Sequence, residues 1–244
     1  MVNNILTTIA IIQARTGSSR FPDKVLKKID GRPILQYVVD YLKNSKLIDK
    51  IVIATTSLNN DDEIELLAKK LKIPCFRGNV NDVLNRFYEC AKVFHADIIL
   101  RVTADDPLID PNIIDQIIQK CKSKNCDYAS NVIHRTFPLG FTACEAIKFH
   151  TLEKLNNDTL DPLSREHVTY HIIKNPNLYR IQEVQADAKL SRPNWRLTID
   201  FPEDFLLIEK IISTIGKEKE FISYGSLVKF LDQNTDLLKI NKRD

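Results

Sequence analysis

Apolar and polar residues alternate in two rhythms over the first 125 positions of the chain. Short apolar runs rich in β-branched residues predict buried strands, whereas apolar residues spaced three and four apart predict amphipathic helices. The two kinds of segment follow each other in turn, which favours a mostly parallel sheet with helices on both faces. The predicted strands cover residues 9–12, 50–55, 74–76 and 97–102, and the predicted helices cover residues 33–42, 61–71, 81–94 and 111–121.

The pattern changes after Cys126, where short strand-like pieces are interleaved with helices. We interpret this half of the chain as an α+β extension packed on the first sheet. The lysine-rich tail from Lys239 is expected to fray, as chain termini often do. The strand-like pieces cover residues 128–131, 142–147, 179–184 and 195–199, and the helices cover residues 148–155, 163–173, 203–215 and 224–231.

The first predicted strand leads directly into a cationic loop. Arg15, Arg20 and Lys24 lie within ten residues and only Asp23 opposes them, so they would repel one another unless an anion lay among them. Arginine offers phosphate oxygens a planar fork of donors and lysine a compact charge, and a triphosphate is the commonest anion of that size. A solvated basic loop is the alternative, but open α/β sheets bind ligands where this loop begins. The residues that would admit the ligand or donate hydroxyl groups to it are Gly17, Ser18 and Ser19.

Two acidic residues far apart in sequence, Asp105 and Asp200, each lie just past the end of a predicted strand. Carboxylates at this edge of a sheet can meet a ligand, and Mg²⁺ usually takes one or two of them together with phosphate oxygens. We therefore predict that Asp105 is a metal ligand, and that Asp200 is either a second ligand or the N-cap of the following helix. Asp106 and Asp110 are predicted to cap the turn into the next helix.

Composition sets only broad limits on function. The net charge of +3 and the 27% of charged residues are ordinary, and give no reason to expect nucleic acid or a membrane as a partner. A chain of 244 residues can form one large α/β domain or two small ones. The five cysteines form no C-x-x-C pair, which favours structural thiols over disulfides or zinc. Since neither a signal-peptide pattern nor a membrane-spanning apolar run occurs, we expect a cytoplasmic protein.

The stretch QARTGSSRFPDKVL lacks the glycines of a P-loop and of a dinucleotide-binding fingerprint. It resembles the N-terminal signature of the CMP-sugar synthetases, the cytidylyltransferases for 3-deoxy-manno-octulosonate and acylneuraminate, and most closely their spore coat polysaccharide biosynthesis protein F branch. VTADDPLI and TIDFPED are similar to two further family motifs, whose lead aspartates bind catalytic magnesium. The resemblance spans roughly residues 9–209. It implies a single-domain, Rossmann-like α/β nucleotidyltransferase fold of the GT-A type, with Mg²⁺ held by Asp105 and Asp200.

The resemblance also implies which residues bind the nucleotide. Arg15, Arg20 and Lys24 would hold the β- and γ-phosphates of CTP. Arg77 lies in a segment similar to the branch's R-G-x-x-x-D-V-L-x-R pattern, in which Arg77 or nearby backbone groups would read the base. In the alternative interpretation, Arg86 of the same segment is a solvated helix residue. The implied catalytic residues are Arg15, Lys24, Asp105 and Asp200, and the implied nucleotide contacts are Ala14, Arg15, Gly17, Ser18, Arg20, Lys24, Thr55, Arg77 and Asp105.

A further stretch, SREHVT, is identical in its core to the branch's R-E-H-V-T box. An acidic sugar needs a cation for its carboxylate and polar groups for its hydroxyls. Arg165 and His167 are therefore the expected acceptor contacts, and Glu145 corresponds to an acid that follows the branch's Y-P-D-G segment. The positions at which this sequence departs from the family pattern are Ala104, Leu139 and Tyr170.

Together these motifs predict a magnesium-dependent cytidylyltransferase, in which a sugar hydroxyl attacks the α-phosphorus of CTP and pyrophosphate leaves. The product would be a CMP-activated sugar for a surface polysaccharide or glycoconjugate. Residues 1–125 would form the nucleotide half and residues 126–244 the acceptor half of one domain spanning 1–244, and the family resemblance implies a homodimer. The alternatives are a sugar-phosphate nucleotidyltransferase that uses another nucleotide, and a nucleotide-sugar glycosyltransferase or silent binding protein on the same scaffold.

Overall fold

A seven-stranded sheet forms the centre of the molecule in the computed structural model, which describes residues 6–217 and 220–243. The strands in these described residues are β1 (Thr8–Gln13), β2 (Lys28–Ile29), β3 (Arg32–Pro33), β4 (Lys50–Thr56), β5 (Cys75–Gly78), β6 (Ile98–Thr103), β7 (Tyr128–Ser130), β8 (Glu145–Lys148) and β9 (Ile181–Glu183). The large sheet has the order β5-β4-β1-β6-β8-β7-β9, and β2 and β3 form a separate hairpin.

Parallel pairing joins β5, β4, β1 and β6, while β8 runs antiparallel to both β6 and β7. The chain passes from β1 to β4 and β5 on one side and then returns to β6 on the other, so the winding reverses between β1 and β6. Gln13 pairs with Thr103 where these two strands end. Open α/β sheets bind ligands at such a reversal. The predicted mostly parallel α/β sheet is thus confirmed, and it brings the cationic loop after β1 beside the acid after β6.

Helices cover both faces of the sheet and bury its apolar side chains. They are α1 (Ile34–Leu42), α2 (Asp62–Leu71), α3 (Val83–Val93), α4 (Pro111–Lys122), α5 (Phe149–Asp158), α6 (Pro162–His167), α7 (Tyr170–Lys174), α8 (Pro202–Ile211) and α9 (Tyr224–Gln233). Successive side chains of a strand point to opposite faces, so Ala10 and Ile12 of β1 enter the core beneath α1 and α4, while Ile9 and Ile11 enter the core beneath α3 and α5. Within the described ranges, no helix has the length and apolar character needed to cross a bilayer.

Residues 195–199 differ from the sequence prediction, because they do not join a sheet. The Leu197 N–H donates to the Leu139 carbonyl over 2.7 Å, and the Ile199 N–H donates to the Asp105 carbonyl over 3.0 Å. The neighbours of this segment are therefore a loop and the turn after β6, which leave a single isolated bridge instead of a ladder. The strand prediction is wrong here, yet the bond to the Asp105 backbone places Asp200 beside the end of β6.

The predicted helix over residues 163–173 is interrupted at Val168, whose φ of 48° and ψ of −59° are not helical. The Thr169 N–H donates to the His167 carbonyl and closes a three-residue turn. A positive φ is strained for a β-branched residue. The prediction of one continuous helix is therefore wrong, and the chain changes direction between α6 and α7.

The C-terminal tail packs against α8. The amide of Asn241, a residue that is 6% exposed, donates to the Asp204 carboxylate over 2.9 Å. The Arg243 guanidinium donates to the other oxygen of the same carboxylate over 2.7 Å. A fully buried acid needs such partners, so the prediction that the tail frays is wrong as far as Arg243.

Candidate active site

A cavity of about 340 Å³ opens between the carboxyl ends of β1 and β6. The loop after β1 forms one wall, and the turn after β6 forms the opposite wall. Asp200 reaches the cavity from the segment that is hydrogen-bonded to the Asp105 backbone. The sequence-predicted residues that line the cavity are Arg15, Gly17, Ser18, Arg20, Lys24, Asp105 and Asp200.

The Lys24 ammonium lies between the two acids. A short 3-10 helix, Lys24–Leu26, carries this side chain inward, and the residue is only 8% exposed. Its Nζ donates to Asp105 Oδ2 over 2.5 Å, to the Ile199 carbonyl over 2.7 Å and to Asp200 Oδ1 over 3.2 Å. All three donors of the ammonium are used. Folding therefore brings Asp105 and Asp200 together beside the cationic loop.

Asp200 is surrounded by cations. Arg20 Nη2 donates to its Oδ1 over 2.7 Å, and Arg196 Nη2 donates to its Oδ2. Although burial raises the pKa of Asp200, Lys24, Arg196 and Arg20 hold it below its ordinary value. The carboxylate is therefore ionised and faces the cavity at neutral pH.

The alternative role of Asp200 as a helix N-cap is wrong. Phe201, not Asp200, immediately precedes α8. The Asp204 carboxylate accepts hydrogen bonds from the backbone N–H groups of Asp200 and Phe201, both at 3.0 Å. Since Asp204 satisfies the start of the helix, the Asp200 side chain is available to the cavity.

The loop after β1 presents its remaining cations at the rim of the cavity. Arg15 is exposed, and the Arg20 side chain is 55% exposed despite its ion pair. A Cβ added at Gly17 would meet no protein atom within 4 Å, so the backbone there is open on the ligand side. The Ser18 hydroxyl accepts from the Phe21 N–H over 3.3 Å, which tightens the loop. This arrangement suits an anion that enters from solvent.

Some residues of the implied nucleotide set do not line the cavity. Ala14 and Thr55 are 1% and 0% exposed and pack beneath the ends of the strands. Arg77 donates to Asp62 over 2.5 Å, to Glu65 over 2.8 Å and to two backbone carbonyls. Its guanidinium therefore ties β5 to α2. The structure does not bring these residues to the cavity, and base reading by Arg77 stays a prediction.

Arg86 is 1% exposed, so the interpretation of it as a solvated helix residue is wrong. Its Nη1 donates to the Asn79 carbonyl over 2.5 Å, whereas Nε and Nη2 are buried without a partner among the described residues. A Cβ added at Gly78 would approach Arg86 Cγ to 2.9 Å, so this glycine makes room for the side chain. Burial, followed by the nearby charge of Arg15, lowers the pKa of Arg86.

A second cavity, of about 240 Å³, lies next to the first, and Thr103 lines both. Glu145 and His167 line the second cavity together, although 22 positions separate them in sequence. Arg165 does not reach it, because its guanidinium donates to the Asp82 carboxylate and to nearby backbone carbonyls. The acceptor contacts expected from the sequence are thus only partly brought together.

Arg101 is a cavity residue that the sequence analysis missed. It lies on β6, and its Nη1 donates to Glu145 on the neighbouring strand β8. An arginine within a mostly apolar strand, IILRVT, is the one sequence signal that could have identified it. The second cavity therefore contains a cation, but not the predicted one.

The two acids expected to cap α4 have different roles. Asp110 accepts from the Asn112 N–H over 2.9 Å, which confirms it as the cap. Asp106 instead accepts from the Thr103 hydroxyl over 2.6 Å and lines the second cavity, so its predicted capping role is wrong. Burial, followed by the charge of Asp105, raises the pKa of Asp106 to about 7.

The donor set at the first cavity fits magnesium. Asp105 and Asp200 supply hard carboxylate oxygens, and Mg²⁺ commonly takes two such groups with water and phosphate oxygens completing its shell. In the part of the chain that the structure describes, no group of three or more His, Cys, Asp or Glu side chains could hold a metal ion, so the first cavity would supply only its two carboxylates. All five cysteines are free thiols, and Cys90, Cys121, Cys126 and Cys144 are buried.

Comparison with known proteins agrees with this geometry. A family model described as cytidylyltransferase matches residues 9–238. The spore coat polysaccharide biosynthesis protein SpsF of Bacillus subtilis is 33% identical over 231 residues, which cover 93% of this chain and 94% of that protein. A solved cytidylyltransferase from Leptospira borgpetersenii is 31% identical, with a TM-score of 0.90 over 98% of this chain and 99% of its own.

A more distant structure shares the fold. It is CMP:2-keto-3-deoxy-manno-octonic acid synthetase complexed with CTP, which is 17% identical with a TM-score of 0.66 over 85% of this chain and 98% of its own. The family match covers nearly the whole chain, and the two closer relatives extend over almost their full lengths. The protein therefore belongs to the cytidylyltransferase family and is a nucleotidyltransferase of mixed, mostly parallel α/β fold.

Proposed function

We propose that this protein transfers CMP from CTP to a hydroxyl group of a sugar, with release of pyrophosphate, and so supplies an activated sugar for a surface polysaccharide or glycoconjugate. The observation that carries the proposal is the Lys24 ammonium, which lies between Asp105 and Asp200 in a cavity rimmed by Arg15 and Arg20. Cations and acids arranged in this way complement a nucleotide triphosphate and a divalent metal ion. Membership of the cytidylyltransferase family supports cytidine as the nucleoside.

The chain's cations would bind and orient the triphosphate. Arg15 and Arg20 lie at the rim, where their guanidinium forks can donate to the β- and γ-phosphates. Lys24 lies deeper and is held rigidly by its hydrogen bonds. Group transfer of this kind needs no covalent enzyme intermediate, because positioning and charge neutralisation supply most of the rate enhancement.

Asp105 and Asp200 are the residues that would hold Mg²⁺. When bound, the ion would act as a Lewis acid that neutralises charge on the phosphate oxygens. Arg196 and Arg20 fix the Asp200 carboxylate from two sides. The hydrogen bond from the Ile199 N–H to the Asp105 carbonyl fixes the spacing between the two acid-bearing segments.

The second cavity is the proposed acceptor site. Thr103 lines both cavities, and the turn after β6 contributes Asp105 to one and Asp106 to the other. A sugar bound there could direct a hydroxyl oxygen at the α-phosphorus. The new oxygen–phosphorus bond would form as the bond to the bridging oxygen breaks, so that pyrophosphate leaves and the hydroxyl proton is lost to solvent.

Pyrophosphate release tests the proposal. The purified protein is assayed with CTP, UTP, GTP and ATP, each with Mg²⁺ and a panel of acidic and neutral sugars and sugar phosphates. We expect release with CTP and a free sugar, and a CMP-sugar product by mass spectrometry. Release with UTP and not CTP would overturn the nucleotide assignment, and turnover of sugar phosphates alone would favour the sugar-phosphate nucleotidyltransferase.

A further inference from the structure

Arg101 is the charged side chain of β6 that faces the second cavity. Its side chain is 15% exposed, which is unusual for an arginine in the middle of a sheet. In the antiparallel ladder it lies directly opposite Glu145 of β8. Such a cross-strand pair has a fixed separation, because the backbones of both residues are part of the ladder.

The Glu145 carboxylate is fully engaged by the protein. One oxygen accepts from Arg101 Nη1, and the other accepts from the Tyr128 hydroxyl over 2.5 Å. The Glu145 side chain is only 5% exposed, and Tyr128 is completely buried. Burial, followed by the charge of Glu145, raises the pKa of Tyr128 well above its ordinary value, so the hydroxyl remains a donor. Glu145 therefore orients Arg101 and has little capacity left for a ligand.

One nitrogen of the Arg101 guanidinium is available to a ligand in the cavity. Nη1 donates to Glu145, and Nε is buried. Nη2 has no acceptor in residues 6–217 and 220–243 and is not fully buried. The other arginine of this region, Arg165, is bonded to Asp82 away from the cavity. Asp106, the remaining acid of the cavity, accepts from Thr103.

We infer that Arg101 is the specificity-determining residue of the acceptor site, where its guanidinium binds a carboxylate of the sugar, with Glu145 and Tyr128 as positioning residues. The inference rests on the proposed function, since it takes the second cavity as the acceptor site. A guanidinium that is oriented by a buried acid loses little conformational freedom when it binds an anion. His167, which also lines this cavity, would contribute a further polar contact.

A matched pair of acceptors isolates this interaction. An acidic sugar such as 3-deoxy-manno-octulosonate or N-acetylneuraminate is compared with its carboxamide, which keeps the shape and loses the charge. For the wild type, we expect kcat/KM to be at least about tenfold higher for the acid. In Arg101→Gln, this ratio should fall by about tenfold or more, while the KM for CTP stays within about twofold.

Two further variants separate recognition from folding. Glu145→Gln keeps an acceptor for Tyr128 but weakens the orientation of Arg101, so the acid-to-amide ratio should fall less than in Arg101→Gln. Arg165→Gln is the matched control, because it removes an arginine of the same region that does not reach the cavity. It should lower the melting temperature and leave the ratio unchanged.

The results of these experiments distinguish an error in the role of Arg101 from an error in the proposed function. An unchanged ratio in Arg101→Gln, or a wild type that uses amides and neutral sugars as well as acids, would overturn this inference and leave CMP transfer intact. If no sugar supports CTP-dependent pyrophosphate release, the proposed function fails. In that case, binding is measured by thermal shift. If the acid, but not the amide, raises the melting temperature of the wild type, and Arg101→Gln loses this effect, the binding role of Arg101 is supported. The lack of such a shift contradicts it.

Discussion

Lys24 Nζ lies 2.5 Å from Asp105 Oδ2, although 81 positions separate the two residues in sequence. The same ammonium bonds to Asp200, so the site's principal acids share one cation. This arrangement reconciles the close approach of two carboxylates with their mutual repulsion. Removal of the Asp105 carboxylate should therefore affect turnover more than stability.

Asp105→Asn should lower kcat by at least about 100-fold, because the amide cannot replace a charged metal ligand beside the triphosphate. The melting temperature should stay near that of the wild type, since the residue is partly exposed and Lys24 keeps its other acceptors. Steady-state kinetics and thermal unfolding measure both quantities. Asp110→Ala is the control, because it removes a helix cap and the acceptor of the Tyr224 N–H outside the cavity, and should cost about 1 to 3 kcal/mol of stability while kcat is retained. Unchanged turnover in Asp105→Asn would refute the proposed metal role.

Arg243→Gln should raise the Mg²⁺ concentration that is needed for half-maximal activity. Arg243 and Arg196 both bond to the buried Asp204, and Arg196 also bonds to Asp200. Loss of Arg243 should therefore loosen the support of a proposed metal ligand, and outer contacts of this kind typically alter metal affinity about tenfold. The measurement is the Mg²⁺ concentration that gives half-maximal activity. Arg192→Gln, which breaks a pair with Asp232 and two local hydrogen bonds to backbone carbonyls without touching Asp204, should leave that concentration unchanged. An equal effect of both variants would contradict the explanation.

Arg86→Met should raise the free energy of unfolding by about 1 kcal/mol or more. Two of the three guanidinium nitrogens of Arg86 are buried without a partner among residues 6–217 and 220–243, and methionine fills similar space without that cost. Urea denaturation monitored by circular dichroism gives the difference. A loss of stability instead of a gain would contradict this explanation.

Asp127→Asn should destabilise the protein at pH 7 and have less effect in acid. The hydrogen bonds from Arg180 hold the pKa of Asp127 well below its ordinary value of about 3.9. Because the folded state favours the ionised form, this carboxylate contributes its full stability above that ordinary value. The contribution is lost as the pH falls towards the lower folded-state pKa.

Urea denaturation of the wild type and of Asp127→Asn at pH 7, 5 and 3 tests whether the stabilisation by Asp127 decreases as the pH falls. The difference in the free energy of unfolding between the two proteins should be about 1 to 3 kcal/mol at pH 7 and smaller at pH 3. Arg180→Gln should show the same trend, because it removes the other half of the pair. A difference that grows in acid would contradict the assignment.

The sequence predicted what depends on local patterns. The apolar run of β1 and the loop from Arg15 to Lys24 are contiguous, so their structure and their place at the sheet edge could be anticipated. The Asp30-Gly31 turn between β2 and β3, with φ of 46° and 78°, was also visible as a dipeptide that favours such hairpins, but it was not predicted.

Other features depend on partners that are distant in sequence. Residues 195–199 have the alternation of a strand, but a loop lies where a strand partner would be needed. Arg77 and Arg165 each meet acids that only folding brings near, and these acids hold them away from the cavities. Arg101 gives no periodic signal, and its partner Glu145 lies 44 positions away.

The wall shared by the two cavities has a consequence for inhibition. Because Thr103 lines both, a single molecule that carries a cytidine phosphate and an acidic sugar across a non-hydrolysable linkage could occupy both at once. Two separate ligands each lose translational freedom when they bind, whereas such a bisubstrate compound would lose it only once. Its affinity should therefore be much higher than that of either half alone.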